Sequence, residues 1–160
     1  MRSVTSTAPL SNDLRRYVEV LERHFGDRLV SVVLFGSRAR GEARPGSDID
    51  ILVVVRGLPA DRLERHRALY RLPGEVSEAF ADAVSPIVLT PEEAERVKPY
   101  YLGMLSGHIL LYDAGGFFAD LLERLRRRLA ELGSRRYVDE DGYEYWDLKP
   151  DWKPGDVVTL

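Results

Sequence analysis

The sequence predicts an α/β domain, and three observations carry that prediction. Short runs rich in β-branched and other apolar residues recur at 29–35, 48–55, 83–89 and 107–112. Between them lie stretches whose apolar residues return every three or four positions, the period of an amphipathic helix. Turn residues separate the two kinds of segment, and such alternation packs helices against a sheet.

Taken in order, residues 1–10 form a Ser/Thr-rich lead with no long apolar segment, read as a flexible lead and not a signal peptide. Ser11 is placed to cap a helix carrying Leu14, Tyr17, Val18, Leu21 and Phe25, which Gly26 stops. Arg15, Arg16, Glu19, Glu22 and Arg23 make its wet face. A strand is expected over 29–35, a glycine-punctuated turn after it, and a second strand over 48–55. Leu58-Pro59 leads into an arginine-rich helix over 61–72, read as a solvated face. The strand over 83–89 contains Pro86, which cannot donate to a ladder and so marks an edge or a bulge. Thr90-Pro91-Glu92-Glu93 reads as a capping box, and the helix it opens is expected to kink or break at Pro99. A short strand over 107–112, a turn over 113–116 and an amphipathic helix over 117–132 follow, with Phe117, Leu121, Leu125 and Leu129 on one face. Asp141-Gly142 suggests a hairpin turn in the aromatic tail, where Tyr143, Tyr145, Trp146 and Trp152 face either a partner or the chain's own core. The expected organisation is the lead 1–10, a domain over 11–133 and an aromatic-rich extension over 134–160.

The segment VVLFGSRARGEARPGSDIDILVVV, residues 32–55, concentrates the chemistry. Asp48 and Asp50 are separated by one residue, and a strand has a side-chain period of two, so both leave the backbone on one side with Cα atoms roughly 6–7 Å apart. Carboxylates that close raise one another's pKa unless a cation sits between them, and Mg²⁺, which takes hard oxygen ligands and retains open positions, suits the pair. Gly36 lets an anion approach the backbone, and the following N–H groups with the Ser37 hydroxyl can donate to phosphate oxygens. A short helix beginning near Arg38 adds its dipole, and Arg38, Arg40 and Ser47 complete the expected nucleotide-binding set. The loop through Arg44, Pro45 and Gly46 is expected to fold over the nucleotide.

Gly36-Ser37, ten intervening residues and Asp48-Ile49-Asp50, with an apolar strand on each side, resemble the signature of the DNA polymerase β-type nucleotidyltransferases. The nearest likeness is to the minimal nucleotidyltransferases of HEPN toxin–antitoxin modules. The resemblance implies a small mixed twisted sheet with helices packed mainly on one face. It implies Mg²⁺-dependent transfer of a nucleoside monophosphate, AMP from ATP, to a hydroxyl acceptor such as a tyrosine of a HEPN-type partner. The alternative it leaves open is a non-catalytic antitoxin that neutralises its partner by binding. Enzymes of this type place a third carboxylate on the next strand. Here Ser85 stands at the aligned place, and Asp82, just before the strand, is the nearest acid and the tentative third carboxylate.

Composition narrows the alternatives. There is no cysteine, which excludes disulfides, thiol catalysis and cysteine-bound zinc. His24, His66 and His108 show no metal-ligand spacing. A net charge of −3 argues against a general nucleic-acid binder, and a template-directed polymerase needs more domains than 160 residues hold. No apolar run reaches the length of a membrane span, so a cytoplasmic protein is expected, as a monomer or as part of a homo- or hetero-oligomer.

Overall fold

In a computed structural model, which describes residues 11–160, a four-stranded mixed sheet forms the centre of the chain. Its strands are β1 (Leu29–Phe35), β2 (Ile49–Val55), β3 (Val84–Leu89) and β4 (Ile109–Asp113), in the order β3-β2-β1-β4. β1 runs antiparallel to β2 and β4, while β2 and β3 are parallel. The helices are α1 (Asn12–Phe25), α2 (Gly36–Arg40), α3 (Arg62–Leu69), α4 (Glu78–Ala83), α5 (Pro91–Glu95), α6 (Pro99–Ser106) and α7 (Phe117–Glu131). A hairpin of β5 (Arg135–Val138) and β6 (Glu144–Asp147) closes the described fold as a separate two-stranded sheet. The expected lead, 1–10, lies outside the described residues.

The sheet is covered on both faces, which corrects the expected placement of helices mainly on one. Val32, Leu34, Ile51, Val53 and Val55 pack under α1, α3 and α4, with Tyr17 of α1 against Phe80 of α4 at 5.2 Å between ring centroids. Val30, Val33, Leu52 and Val54 point the other way, into Ala94, Tyr101, Met104, Phe118, Leu121, Leu122, Leu125 and Leu129 of α5, α6 and α7. The reason is in the sequence of the two central strands. Apart from Ser31 in β1 and Asp50 at the start of β2, both are apolar on successive residues and not only on alternate ones, and a strand of that kind is stable with a covering layer on each side.

Local signals account for most boundaries. Ser11 accepts from the backbone of Leu14, capping α1. Thr90 and Glu93 form a reciprocal capping box at α5. Pro99 takes the first position of α6 and so divides the expected 91-onward helix in two. β3 is an edge strand, as Pro86 requires. In the tail, Trp146 packs on the core while Tyr143, Tyr145 and Trp152 remain exposed and Tyr137 stacks on Tyr145.

One ion pair ties the two helical layers across the end of the sheet. Arg65 of α3 donates to both carboxylate oxygens of Glu93, at 2.7 and 3.0 Å, and to the carbonyl of Pro59. Its guanidinium holds the Glu93 carboxyl below the usual carboxylate range. Because that pKa is depressed, the contribution is present above the unfolded value and is lost as pH falls through the folded one. Arg65→Ala is expected to cost about 2 kcal/mol in urea unfolding, with the difference from wild type shrinking in acid.

Candidate active site

The sheet register brings the sequence motif together at one end of the strands. β1 ends at Phe35, which pairs with Asp50 near the start of β2, so Gly36 follows directly beside the Asp50 side chain. Gly36 has φ +73°, a conformation that L side chains rarely adopt. The lack of a side chain serves a second purpose, because a Cβ built on Gly36 would overlap Oδ2 of Asp50 and come within 3.2 Å of its Cγ. From the sequence, the bare backbone of Gly36 is expected to admit a phosphate. The structure adds that the Asp50 carboxylate itself occupies the space, locking the two halves of the motif together.

By strand parity Asp50 takes the side of β2 that carries Leu52 and Val54 towards α5, α6 and α7, and Asp48 stands one residue before the strand, close enough for its charge to act on Asp50. Asp48 is exposed and Asp50 half-buried. Burial first, then the negative charge of Asp48, push the Asp50 carboxyl above the usual carboxylate range, while the Arg40 guanidinium pulls it down. Two neighbouring hard oxygen donors, one of them raised by burial and by the other's charge, fit a divalent cation of the Mg²⁺ type. Among the described residues no group of three or more His, Asp or Glu side chains gathers at one point, so the pair is the centre of the candidate cation site.

α2 is a single short helix that begins at Gly36 and is closed by Gly41 in the left-handed conformation, with the Glu42 N–H donating to the Ser37 carbonyl at 2.9 Å. Five residues give little macrodipole, so what α2 offers an anion is its unpaired N-terminal N–H groups and the Ser37 hydroxyl. Arg38 and Ser47 have structural partners. Arg38 donates to the Ser47 carbonyl at 2.8 and 3.3 Å, and the Ser47 hydroxyl accepts from the Arg44 backbone at 2.9 Å. Pro45 and Gly46, the latter at φ +84°, form a tight turn closed by Ser47 N–H to the Arg44 carbonyl. This loop delivers Asp48 to the start of β2. Arg40 pairs with Glu42 at 2.9 Å and packs on Gly107, where a Cβ would come within 2.7 Å of its Cγ. That role for Gly107 has no sequence signal, because the contact joins α2 to a residue 67 positions away.

On the other side of Asp50 the parallel register sets Ser85 as its partner on β3. Asp82 lies outside this row, exposed on α4, and its charge is not among those that act on Asp50. Asp82→Asn is therefore expected to lower transfer by less than about tenfold. A loss above about 100-fold, in the range of a removed general base, would return Asp82 to the role of third carboxylate.

A cleft of about 1620 Å³ adjoins the site without reaching the aspartates. Arg40 and Glu42 of the α2 side form one wall, and His108, Arg126, Tyr143 and Trp146 stand among the others. His108 is half-buried, with Nδ1 2.8 Å from the Met104 carbonyl, and burial holds its pKa below the usual value. The imidazole is thus neutral near pH 7 and donates from Nδ1.

A family model described as a nucleotidyltransferase domain matches residues 14–107, which span α1 to the end of α6. The chain belongs to the nucleotidyltransferase family. A candidate protein adenylyltransferase of Methanocaldococcus jannaschii is 31% identical over 151 residues, covering 93% of this chain and 97% of its own. Spectinomycin 9-adenylyltransferase of Staphylococcus aureus is 31% identical over 93 residues, 57% of this chain but only 35% of the antibiotic-modifying enzyme. Among solved structures, a toxin–antitoxin structure with AMP-PNP has a TM-score of 0.48 at 19% identity, covering 74% of this chain and 92% of that one. The domain is thus one of nucleotide transfer, carried on a mixed α/β fold with a four-stranded sheet. No described helix is long and apolar enough to cross a membrane.

Proposed function

We propose that this nucleotidyltransferase moves AMP from ATP, with Mg²⁺, to a hydroxyl on a protein, the resemblance to minimal nucleotidyltransferases pointing to a HEPN-type toxin as the partner. The observation that carries the reading is the seating of the Asp50 carboxylate against Gly36, which fixes a phosphate-binding turn and a paired carboxylate within one strand crossing. Asp48 and Asp50 would hold the cation, which when bound neutralises phosphate charge and polarises the reacting phosphoryl group.

The residues of the chain divide the remaining work. The Ser37 hydroxyl and the N–H groups opening α2 hold the β- and γ-phosphate oxygens, and Arg40 adds positive charge on the same side. Arg38 acts on the loop, fixing Ser47 and thereby Asp48. The acceptor oxygen forms its bond to the α-phosphorus as the bond from that phosphorus to the bridging oxygen of the β-phosphate breaks. Pyrophosphate leaves, and the hydroxyl proton passes to solvent at this open face. Positioning and charge supply most of the rate.

Two observations support a protein as acceptor. The relative matched over nearly the full length is a candidate protein adenylyltransferase. The adjoining cleft, at about 1620 Å³, exceeds the ~300–1,000 Å³ usual for small ligands and is walled partly by exposed aromatic residues. Incubation with ATP labelled at the α- or the γ-phosphate tests the transferred group. Retention of α-label and loss of γ-label on an acceptor band is expected, whereas retained γ-label would mean phosphoryl transfer. One observation favours the masking alternative, the serine in place of a carboxylate beside Asp50. Under that alternative, neutralisation of the partner survives Asp48→Asn, and under the transfer reading it does not.

A further inference from the structure

Gly107 joins α6 to β4, and its backbone gives no reason for a glycine there. Its φ is 176° and its ψ 123°, extended values that any residue adopts. The reason lies in what a side chain would meet. A Cβ on Gly107 would come within 2.7 Å of Arg40 Cγ and lie 3.6 and 3.7 Å from Arg40 Cα and Cβ. The stem of Arg40 therefore lies across the bare Cα of Gly107 as it leaves α2. The junction is held from its own side as well. The Gly107 N–H donates to the Met104 carbonyl at 3.2 Å, and His108 Nδ1 lies 2.8 Å from the same carbonyl.

What this seat holds is a directed set of donors. Arg40 Nε donates to Glu42 at 2.9 Å, while the two terminal nitrogens have no hydrogen-bond partner among the described residues. Glu42 offsets the charge of Arg40, so the pair attracts an anion little by net charge. What Arg40 offers a triphosphate is N–H donors, and these count most when their place is fixed beforehand. The guanidinium is near enough to Asp50 for its charge to act there.

We propose that Gly107 is a positioning residue for nucleotide transfer, seating the Arg40 stem so that the free nitrogens of the guanidinium meet the β- and γ-phosphate oxygens. The inference rests on the reading of the Gly36-Ser37 turn as the triphosphate site. Gly107 touches no substrate in this role and acts through Arg40. A methyl group at Gly107 turns the Arg40 side chain outward, which its 33% exposure permits, so the fold survives and the donors are lost.

The test measures binding of α,β-methylene-ATP and of AMP to the full chain by calorimetry, each with Mg²⁺. The first cannot be cleaved between its first two phosphates, and AMP lacks the two that Arg40 meets. Gly107→Ala should weaken α,β-methylene-ATP by about tenfold and leave AMP within about twofold of wild type, and Arg40→Ala should do the same. In the Arg40→Ala background the Cγ is gone, so Gly107→Ala should add less than about twofold. Unchanged α,β-methylene-ATP binding by Gly107→Ala overturns the proposal. So does an equal loss for AMP, an equal further loss in the Arg40→Ala background, or a Gly107→Ala protein that fails to fold where the double variant folds, since each makes the contact one of structure alone. If Arg40→Ala binds like the wild type while Ser37→Ala is weakened by about tenfold, the proposal fails and the reading of the turn stands. If both bind like the wild type, the reading of the turn falls with it.

Discussion

Asp50→Asn is expected to reduce nucleotidyl transfer by about 10³-fold or more, roughly 4 kcal/mol of transition-state stabilisation, while raising the melting temperature of the cation-free protein. The two effects have one cause. Burial and Asp48 push the Asp50 carboxyl above its ordinary range, so its ionisation opposes the folded state. The proton it holds favours folding at low pH, and that advantage is lost as pH rises through the raised value. At neutral pH the wild type carries the repulsion in full, and the amide removes it. A rise of roughly 1–3 °C is expected for a domain of this size, and it should vanish when wild type and variant are compared at a pH below both carboxyl values. Saturating Mg²⁺ and nucleotide should reverse the order, stabilising the wild type and not the variant. Lower stability of Asp50→Asn at neutral pH without cation would mean that the carboxylate has a structural partner this account lacks.

Gly36→Ala is expected to have the next largest effect, and Gly41→Ala is its internal control. Both glycines have positive φ, +73° and +74°, so both alanines carry the backbone cost of about 1–2 kcal/mol. Only Gly36 has the Asp50 carboxylate where the methyl group would go, since nothing lies within 4 Å of a Cβ on Gly41. Gly36→Ala should therefore lose more stability than Gly41→Ala in chemical denaturation, and transfer should fall by about 100-fold or more in Gly36→Ala and by less than about tenfold in Gly41→Ala. Equal losses of activity would show that the backbone of the turn, and not the carboxylate's seat, is what transfer needs.

The central part of this design was legible in the sequence because it is local. Gly36, Ser37, Asp48 and Asp50 lie within one strand–turn–strand unit, and the period of a strand puts the carboxylates together without tertiary information. Thr90-Pro91-Glu92-Glu93, Pro99 and Pro86 likewise carry their consequences with them. What stayed hidden depends on packing. α4 has only six residues, too short for a clear period, and its existence follows from the Ser77 cap and the burial of Phe80 against Tyr17. The second helical layer is foreshadowed by the largely apolar runs of β1 and β2, although the family resemblance implies helices mainly on one face. Arg38 and Ser47 read as ligand-binding types, and the structure shows them bonded to each other's loop, a role no composition rule separates from phosphate binding. The neighbour of Asp50 needed the β2–β3 register, which joins residues 35 positions apart.

The account turns on one claim, that the Gly36-Ser37 turn and the Asp48–Asp50 pair are the site of nucleotidyl transfer to a protein. Incubating the wild type and an Asp48→Asn, Asp50→Asn variant with α-labelled ATP, Mg²⁺ and host-lysate protein measures it most directly. A labelled protein band formed by the wild type and absent with the variant is the predicted result, and its mass spectrum would identify the acceptor. Equal labelling by the two proteins, or no label from a wild type that binds ATP, would contradict the claim.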